Sequence, residues 1–257
     1  MQQTSSMTAR EADFARRGVS CIVCAFNEAD RIRNILDVIV GHPALSEVIV
    51  VNDGSTDATG DLLASYPQIR VLSHTPNRGK TYALSRGIAA ARFEHLMLLD
   101  ADLAGVTAAD IDALAAPVIR GEADASISLR SNSLWIYRRI GLDFVSGERV
   151  MPKSLLEKAV AVMERLPRWG GEAYINELFI REGFRIAVVK WTRVFNIRKY
   201  QKAGVVRGTL AEIGMIWDAM VVLTPWGLIR QNLMLLSLVT GRRRSRLVAR
   251  LAERLAS

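Results

Sequence analysis

Apolar strands alternate with short helices along the first half of this chain, and that alternation constrains the fold more than any other feature. Val19–Ala25 reads as an apolar strand, and Ala29–Val40 follows with Ile32, Ile35, Leu36 and Ile39 at helical spacing. Glu47–Val51 is a β-branched strand, Ala58–Ser65 a short helix and Ile69–Ser73 a third strand. Lys80–Ala91 is an Ala- and Leu-rich helix, Glu94–Leu99 a fourth strand, Ala108–Arg120 a helix and Ala123–Leu129 a fifth strand. Strands that alternate with helices of about ten residues imply βαβ units and a mostly parallel sheet flanked by helices, with right-handed crossovers. After Arg130 the pattern loosens. Ser154–Leu166 and Ala173–Glu182 read as helices and Phe184–Val189 as a strand.

The size suits such a sheet. A chain of 257 residues that is 50% hydrophobic can bury one large core. The net charge of +8 is unevenly spread, because six Arg and one Glu lie between Gly241 and the end. A basic terminal segment is not a basic face on the folded body, and no nucleic-acid motif accompanies it, so nucleic acid is not expected as a partner. The two cysteines, Cys21 and Cys24, have C-x-x-C spacing. They fall inside a strand, where positions three apart face opposite sides, and no further Cys or His completes a metal set. Buried thiols in a reducing compartment are expected. Residues 1–17 show no apolar signal-peptide stretch, and no charge-free run reaches the roughly 18–20 residues of a spanning helix.

In open α/β sheets, ligands bind beyond the carboxyl ends of the strands. Four loops lie there. In Ala25-Phe26-Asn27-Glu28, Asn27 and Glu28 can contact a nucleotide or cap the next helix. In Asn52-Asp53-Gly54-Ser55-Thr56-Asp57, Gly54 permits a tight turn, Asp53 can accept from a base N–H, and Ser55 can start a helix. In Asn77-Arg78-Gly79-Lys80, a Gly-Lys pair at a helix start can meet a phosphate, although neither the P-loop nor the G-x-G-x-x-G spacing is present. The fourth loop, Asp100-Ala101-Asp102, closes the run His95-Leu96-Met97-Leu98-Leu99. Two carboxylates one residue apart at the end of a buried strand can hold Mg²⁺ or Mn²⁺ against a phosphate.

In this order and spacing, the four loops resemble the inverting family-two glycosyltransferases of the GT-A fold. The resemblance runs from Ser20-Cys21-Ile22-Val23-Cys24-Ala25-Phe26-Asn27-Glu28 through Val50-Val51-Asn52-Asp53-Gly54-Ser55-Thr56-Asp57 and Asn77-Arg78-Gly79-Lys80 to Leu98-Leu99-Asp100-Ala101-Asp102. It marks residues 18–195 as a GT-A domain and leaves 196–257 as a helical extension, first apolar and then basic. It implies a nucleotide-sugar site built from Ala25, Asn27, Glu28, Asp53, Ser55, Gly79, Lys80, Asp100 and Ala101, with Asp102 and Asp100 as metal ligands. Ala25 stands where the family commonly has Pro.

The resemblance further implies direct displacement at the anomeric carbon, with Asp102 and Glu172 as catalytic residues. Glu172 lies in Gly170-Gly171-Glu172-Ala173-Tyr174, ahead of Gly183-Phe184-Arg185-Ile186, like the family segment whose acidic residue starts a helix. It would be the general base for a hydroxyl acceptor, or simply a favourable charge at a helix N-terminus. In the polyprenyl-phosphate branch the acceptor is already anionic and needs cationic clamps. Arg130, Arg138 and Arg139 are then the candidates, against the alternative of solvated arginines. Beyond Trp217, Trp226 and the apolar run Leu233–Val239, the segment starting at Arg242-Arg243-Arg244 places Leu247, Val248, Leu251 and Leu255 opposite Arg246, Arg250 and Arg254. That is an interfacial membrane pattern, or a packing or dimer helix. The expectation is a cytoplasmic transferase, peripheral on the inner face of a membrane. Its donor would be a nucleoside-diphosphate sugar and its acceptor a lipid phosphate or a membrane-proximal glycan. The alternatives are a soluble transferase acting on a saccharide or small metabolite, and a non-catalytic nucleotide-sugar-binding protein.

Overall fold

The structure is a computed structural model that describes residues 18–196 and 224–240. Its main sheet has seven strands: β1 (Val19–Ala25), β2 (Glu47–Asp53), β3 (Arg70–His74), β4 (His95–Asp100), β6 (Ala125–Arg130), β7 (Arg149–Pro152) and β8 (Ile186–Trp191). They run in the order β3-β2-β1-β4-β7-β6-β8. A second, two-stranded sheet pairs β5 (Leu103–Ala104) with β9 (Phe195–Asn196), setting Leu103 opposite Asn196. All main-sheet pairs are parallel except those of β7, which runs antiparallel to both β4 and β6. This is the α/β architecture expected of the GT-A fold.

Alternation along the strands sorts side chains onto two faces. Val19, Cys21, Val23, Val48 and Val50 face α1 (Arg33–Ile39) and α4 (Ala108–Ile119), which contribute Ile35, Leu36, Ile111 and Leu114. Ile22, Ile49, Val51 and Leu98 face α3 (Lys80–Ala90) and α8 (Gly171–Arg181). The two cysteines accordingly belong to opposite faces, Cys21 on the first and Cys24 on the second. Each fully buried Leu or Ile contributes about 1.5–3 kcal/mol. Gly87 lets α3 approach closely, since a Cβ there would lie 2.5 Å from Ile22 Cγ2. A capping box starts α4, with Asp110 N–H donating to Thr107 Oγ1 and Thr107 N–H donating to Asp110 Oδ2.

The structure differs from the sequence expectation in three places. The helix expected over 154–166 is two pieces, α6 (Lys153–Glu157) and α7 (Val160–Met163). Ala159 N bonds to Leu156 O, three residues back, and that tighter turn directs Leu156 and Met163 onto the same core. Strand β7 had no signature because it opens on Arg149, directly after Glu148, and is four residues long. Finally, a boundary at 195/196 falls inside the fold. Asn196 belongs to β9, and α9 (Pro225–Ser237) sits against α8, where Gln231 Nε2 donates to Ala173 O (2.9 Å) and Leu235 is buried. Trp217 and the basic segment from Arg242 lie outside the described residues. Among the described residues no helix is long and apolar enough to cross a membrane. The remaining helices are α2 (Thr59–Ala64) and α5 (Trp135–Ile140).

Candidate active site

The carboxyl ends of β1, β2 and β4 open into a cleft of about 280 Å³, lined by Cys24, Ala25, Phe26, Glu28, Asp53, Asn77 and Gly79, with Lys80, Asp100, Ala101, Asp102, Arg168 and Trp169 completing it. Eight expected donor-site residues therefore meet in one place, although they span positions 25 to 102. Asn27 and Ser55 do not line it. Instead they tie the first two loops together: Asn27 N–H donates to Ser55 Oγ (3.0 Å), and Thr56 N–H donates to Asn27 Oδ1 (2.8 Å). Glu28 is buried in an ion pair with Arg31 at 2.7 Å.

Asp53 organises the third loop. Its Oδ1 accepts from His74 Nε2 (2.7 Å) and Arg78 N (2.7 Å), and its Oδ2 accepts from Asn77 Nδ2 (2.8 Å) and Gly79 N (2.8 Å). Each oxygen thus already receives two donors, and a base N–H would share one of those lone pairs. Gly79 has φ +97° and ψ 160°, a region open essentially to glycine alone. A Cβ there would also lie 2.6 Å from Arg168 Cβ. That close approach docks the loop before α8 onto α3: Thr81 N donates to Arg168 O (3.0 Å), and Gly171 N donates to Thr81 Oγ1 (3.0 Å).

The docking carries Glu172 into the site. Lys80 Nζ lies 2.5 Å from Asp100 Oδ1 and 2.6 Å from Glu172 Oε1. Burial opposes the Lys80 charge, but the two carboxylates outweigh it and hold its pKa above the ordinary lysine value. Burial alone would raise the Asp100 carboxyl, yet Lys80 and then Arg130 hold it below its usual range. Asp102 shifts the other way, pushed up by burial and by the negative charge of Asp100. Behind Asp100 there is room only for a backbone, because a Cβ on Gly147 would lie 2.5 Å from Asp100 Oδ1.

Arg130 lies under this pair and is already engaged. Its Nη1 is 2.9 Å from Glu148 Oε1 and 3.8 Å from Asp100 Oδ2, and its Nη2 is 3.5 Å from Asp143 Oδ2. It also donates to Asn196 Oδ1. The Asn196 amide turns its Nδ2 to Asp102 Oδ1 (2.8 Å). Arg138 and Arg139 are exposed on α5 and take no part in these contacts. The connected network thus joins five carboxylates, Asp100, Asp102, Asp143, Glu148 and Glu172, through two cations, Lys80 and Arg130. The buried Arg149 guanidinium adds a third positive charge felt by Glu172, Asp143, Glu148 and Asp100, and the carboxylate excess that remains, with Asp100 and Asp102 facing the cleft, fits a divalent cation. Among the described residues no group of three or more His, Cys, Asp or Glu is arranged to hold a metal. Asp100 and Asp102 are the residues that could offer a divalent cation one or two carboxylates, its remaining ligands coming from phosphate oxygens.

Sequence reasoning did not single out Asn77, Gly147, Arg168, Trp169 or Asn196. Only Asn77 carried a local signal, since it sits in the loop already read as phosphate-contacting. Through tertiary docking, Arg168 and Trp169 reach the cleft, Gly147 packs against Asp100 and Asn196 bonds to Asp102.

Comparison with known proteins agrees with this geometry. The family model for glycosyl transferase family 2 matches residues 20–142. A dolichyl-phosphate beta-glucosyltransferase of Trichomonas vaginalis is 38% identical over 94 residues, covering 32% of this chain and 28% of that protein. A poly-beta-1,6-N-acetyl-D-glucosamine synthase of Staphylococcus epidermidis is 33% identical over 90 residues, covering 33% of this chain and 22% of that protein. The matched stretch is thus less than a third of either relative's length. Among solved structures, glucosyl-3-phosphoglycerate synthase of Mycobacterium tuberculosis, in complex with Mn²⁺, uridine diphosphate and phosphoglyceric acid, superposes with a TM-score of 0.64. Its sequence identity is 22%, with 86% of this chain and 84% of that chain covered, so the likeness is one of fold.

Proposed function

We propose that the chain, whose residues 20–142 match the family model for glycosyl transferase family 2, transfers a sugar, with inversion, from a nucleoside-diphosphate sugar to a lipid phosphate or membrane-proximal glycan. The observation that carries the reading is the carboxylate-rich network facing a cleft walled by the three preceding strand-end loops. Mg²⁺ or Mn²⁺ would be held by Asp102 with Asp100, and when bound it supplies neutralisation of the charge developing on the departing diphosphate. The solved Mn²⁺ and uridine-diphosphate complexes of the fold neighbour support that choice.

The residues divide the remaining work. Lys80 fixes Asp100 and Glu172 with one ammonium group and sets the distance between donor and acceptor sides. Arg130 and Asn196 hold the two aspartates from below. Glu172 is the base for a hydroxyl acceptor, a role worth about 10²–10⁴ in rate. Arg130 already serves three carboxylates and Asn196, which favours a deprotonated hydroxyl over a phosphate clamped at that residue. The phosphate-acceptor reading instead relies on Arg168, an exposed cation on the cleft wall.

The test is turnover of UDP- and GDP-sugars, with and without EDTA, on saccharide and polyprenyl-phosphate acceptors. Turnover is expected to vanish in chelator and return with Mn²⁺, and Asp102→Ala is expected to lose it while keeping its melting temperature. Full activity in chelator would overturn the metal site. Donor binding with neither transfer nor donor hydrolysis across all acceptors would make this a binding protein.

A further inference from the structure

Among the described residues, the short helix α5 is the one helix without a fully buried side chain. Tyr137 and Ile140 attach it to the core, with Tyr137 edge-on to Phe144 at 5.6 Å between ring centroids. At the start of the helix Leu134 (53% exposed), Trp135 (69%) and Ile136 (46%) project into solvent around its surface, with Val145 exposed just beyond the next turn. Arg138 and Arg139 occupy the last helical turn, also exposed, and no acidic residue occurs from Ser131 to Leu142. Scattered exposed leucines need no explanation, but three consecutive apolar side chains including a tryptophan, next to two arginines, do.

The segment is held firmly at both ends. Ser133 Oγ donates to Asp143 Oδ2 (2.6 Å), Arg130 reaches the same carboxylate, and Gly141 closes the helix in the left-handed conformation at φ +71°. It follows directly from the carboxyl end of β6, the end of the sheet that carries the cleft. The apolar side chains therefore sit on a braced hairpin, not on a loose loop.

We infer that the Leu134–Arg139 helix is a membrane-docking element that inserts Leu134, Trp135 and Ile136 into the headgroup boundary of an anionic bilayer while Arg138 and Arg139 contact its phosphates. The charge pattern selects this occupant. Aromatic and aliphatic side chains beside arginines, with no acidic residue among them, make an interfacial surface, and each Arg near an anionic surface contributes about a fivefold gain in partitioning. A second copy of the chain is disfavoured by area. A stable dimer needs about 800 Å² per partner from some 20–30 residues, and a six-residue helix with its flanks does not supply it. The inference deepens the proposed function by placing an acceptor at the lipid surface beside the cleft. The docking itself is read from α5 alone and stands apart from donor chemistry.

The experiment is cosedimentation of the full chain with phosphatidylcholine vesicles, with and without phosphatidylglycerol. Three full-chain variants are compared: L134S/W135S/I136S, R138Q/R139Q, and a control with Arg242, Arg243 and Arg244 each changed to Gln. The first variant is expected to lose at least about tenfold in vesicle partitioning, because three interfacial side chains are removed. The second is expected to lose about 25-fold on anionic vesicles and little on neutral ones, two fivefold factors multiplied. Melting temperature and donor-induced thermal shift check that the first variant is folded. The inference is overturned if wild type stays in the supernatant, if neither α5 variant changes partitioning while the Arg242–Arg244 variant abolishes it, or if the first variant only converts a dimer to a monomer. Vesicle binding with no donor-induced shift in any nucleotide sugar would sink the proposed function and leave α5 standing.

Discussion

Arg130→Met tests the central claim about the site, that one guanidinium braces the metal-facing carboxylates from below. The substitution keeps length and apolar volume but removes the charge from beside Glu148, which is fully buried, and Asp143, whose side chain is 2% exposed. Stranding a buried charge costs about 3–5 kcal/mol. The low end applies here, because Glu148 keeps the hydroxyls of Ser128 and Ser146 at 2.7 Å each and Asp143 keeps Ser133 at 2.6 Å. A loss of about 3 kcal/mol in a domain of this size lowers Tm by about 6–12 °C. The pH dependence has a definite sign. Burial already raises the Glu148 carboxyl above the ordinary glutamate range, with Arg130 restraining the rise. Between the unfolded and folded values the folded state binds more protons, so stability falls as pH rises through that window. Removing Arg130 lifts the folded value further, so the penalty is smallest in the ordinary glutamate range, where Glu148 is protonated, and grows as pH rises above it. Adding Glu148→Gln to Arg130→Met is expected to recover part of the loss. Urea and thermal melts at several pH values measure all of this. An Arg130→Met protein melting within about 2 °C of wild type, or a penalty flat with pH, would refute the reasoning.

Three further expectations concern the same neighbourhood. Glu172→Gln should lower kcat on a hydroxyl acceptor by about 10²–10⁴ with donor affinity retained, whereas on a polyprenyl phosphate the loss should be small; steady-state kinetics on both acceptors separates these outcomes. Gly79→Ala should cost at least about 1–3 kcal/mol, since it forces a side chain into a glycine-only region against Arg168, and it should weaken nucleotide binding in a thermal-shift titration. Burial pushes both the Cys21 and Cys24 thiols up, so neither should react with a thiol reagent at neutral pH until the protein unfolds.

The half of the site proposed for the donor was legible because its signals are local. Strands β1, β2 and β4 are apolar runs that end in polar loops, and each loop carries its own chemistry, as Asp100-Ala101-Asp102 does. The half proposed for the acceptor was not, because its positions acquire meaning only through partners far along the chain. Arg130 reads as an available phosphate clamp until Asp143, Glu148 and Asn196 are seen to occupy it. Asn196 has no motif around it and reaches Asp102 only because β9 pairs with β5. Arg149 sits in a strand yet is wholly buried, satisfied by Ser146 O, Phe144 O and Asn176 Oδ1, and so reads as polar surface in the sequence.

The pairing of β9 with β5 also sets an order of assembly during synthesis. A ribosome working from the N-terminus finishes β1 to β4 and the four strand-end loops by Asp102, and the carboxylate pair is then complete in covalent terms, before Arg168 and Trp169 of the cleft wall exist. Its neighbours arrive later: Arg130, then Glu148, then Glu172, and last Asn196, the residue that turns its amide to Asp102. The four strand-end loops can therefore be translated long before the charges that tune them, and the site reaches its working electrostatics only when the chain has passed residue 196.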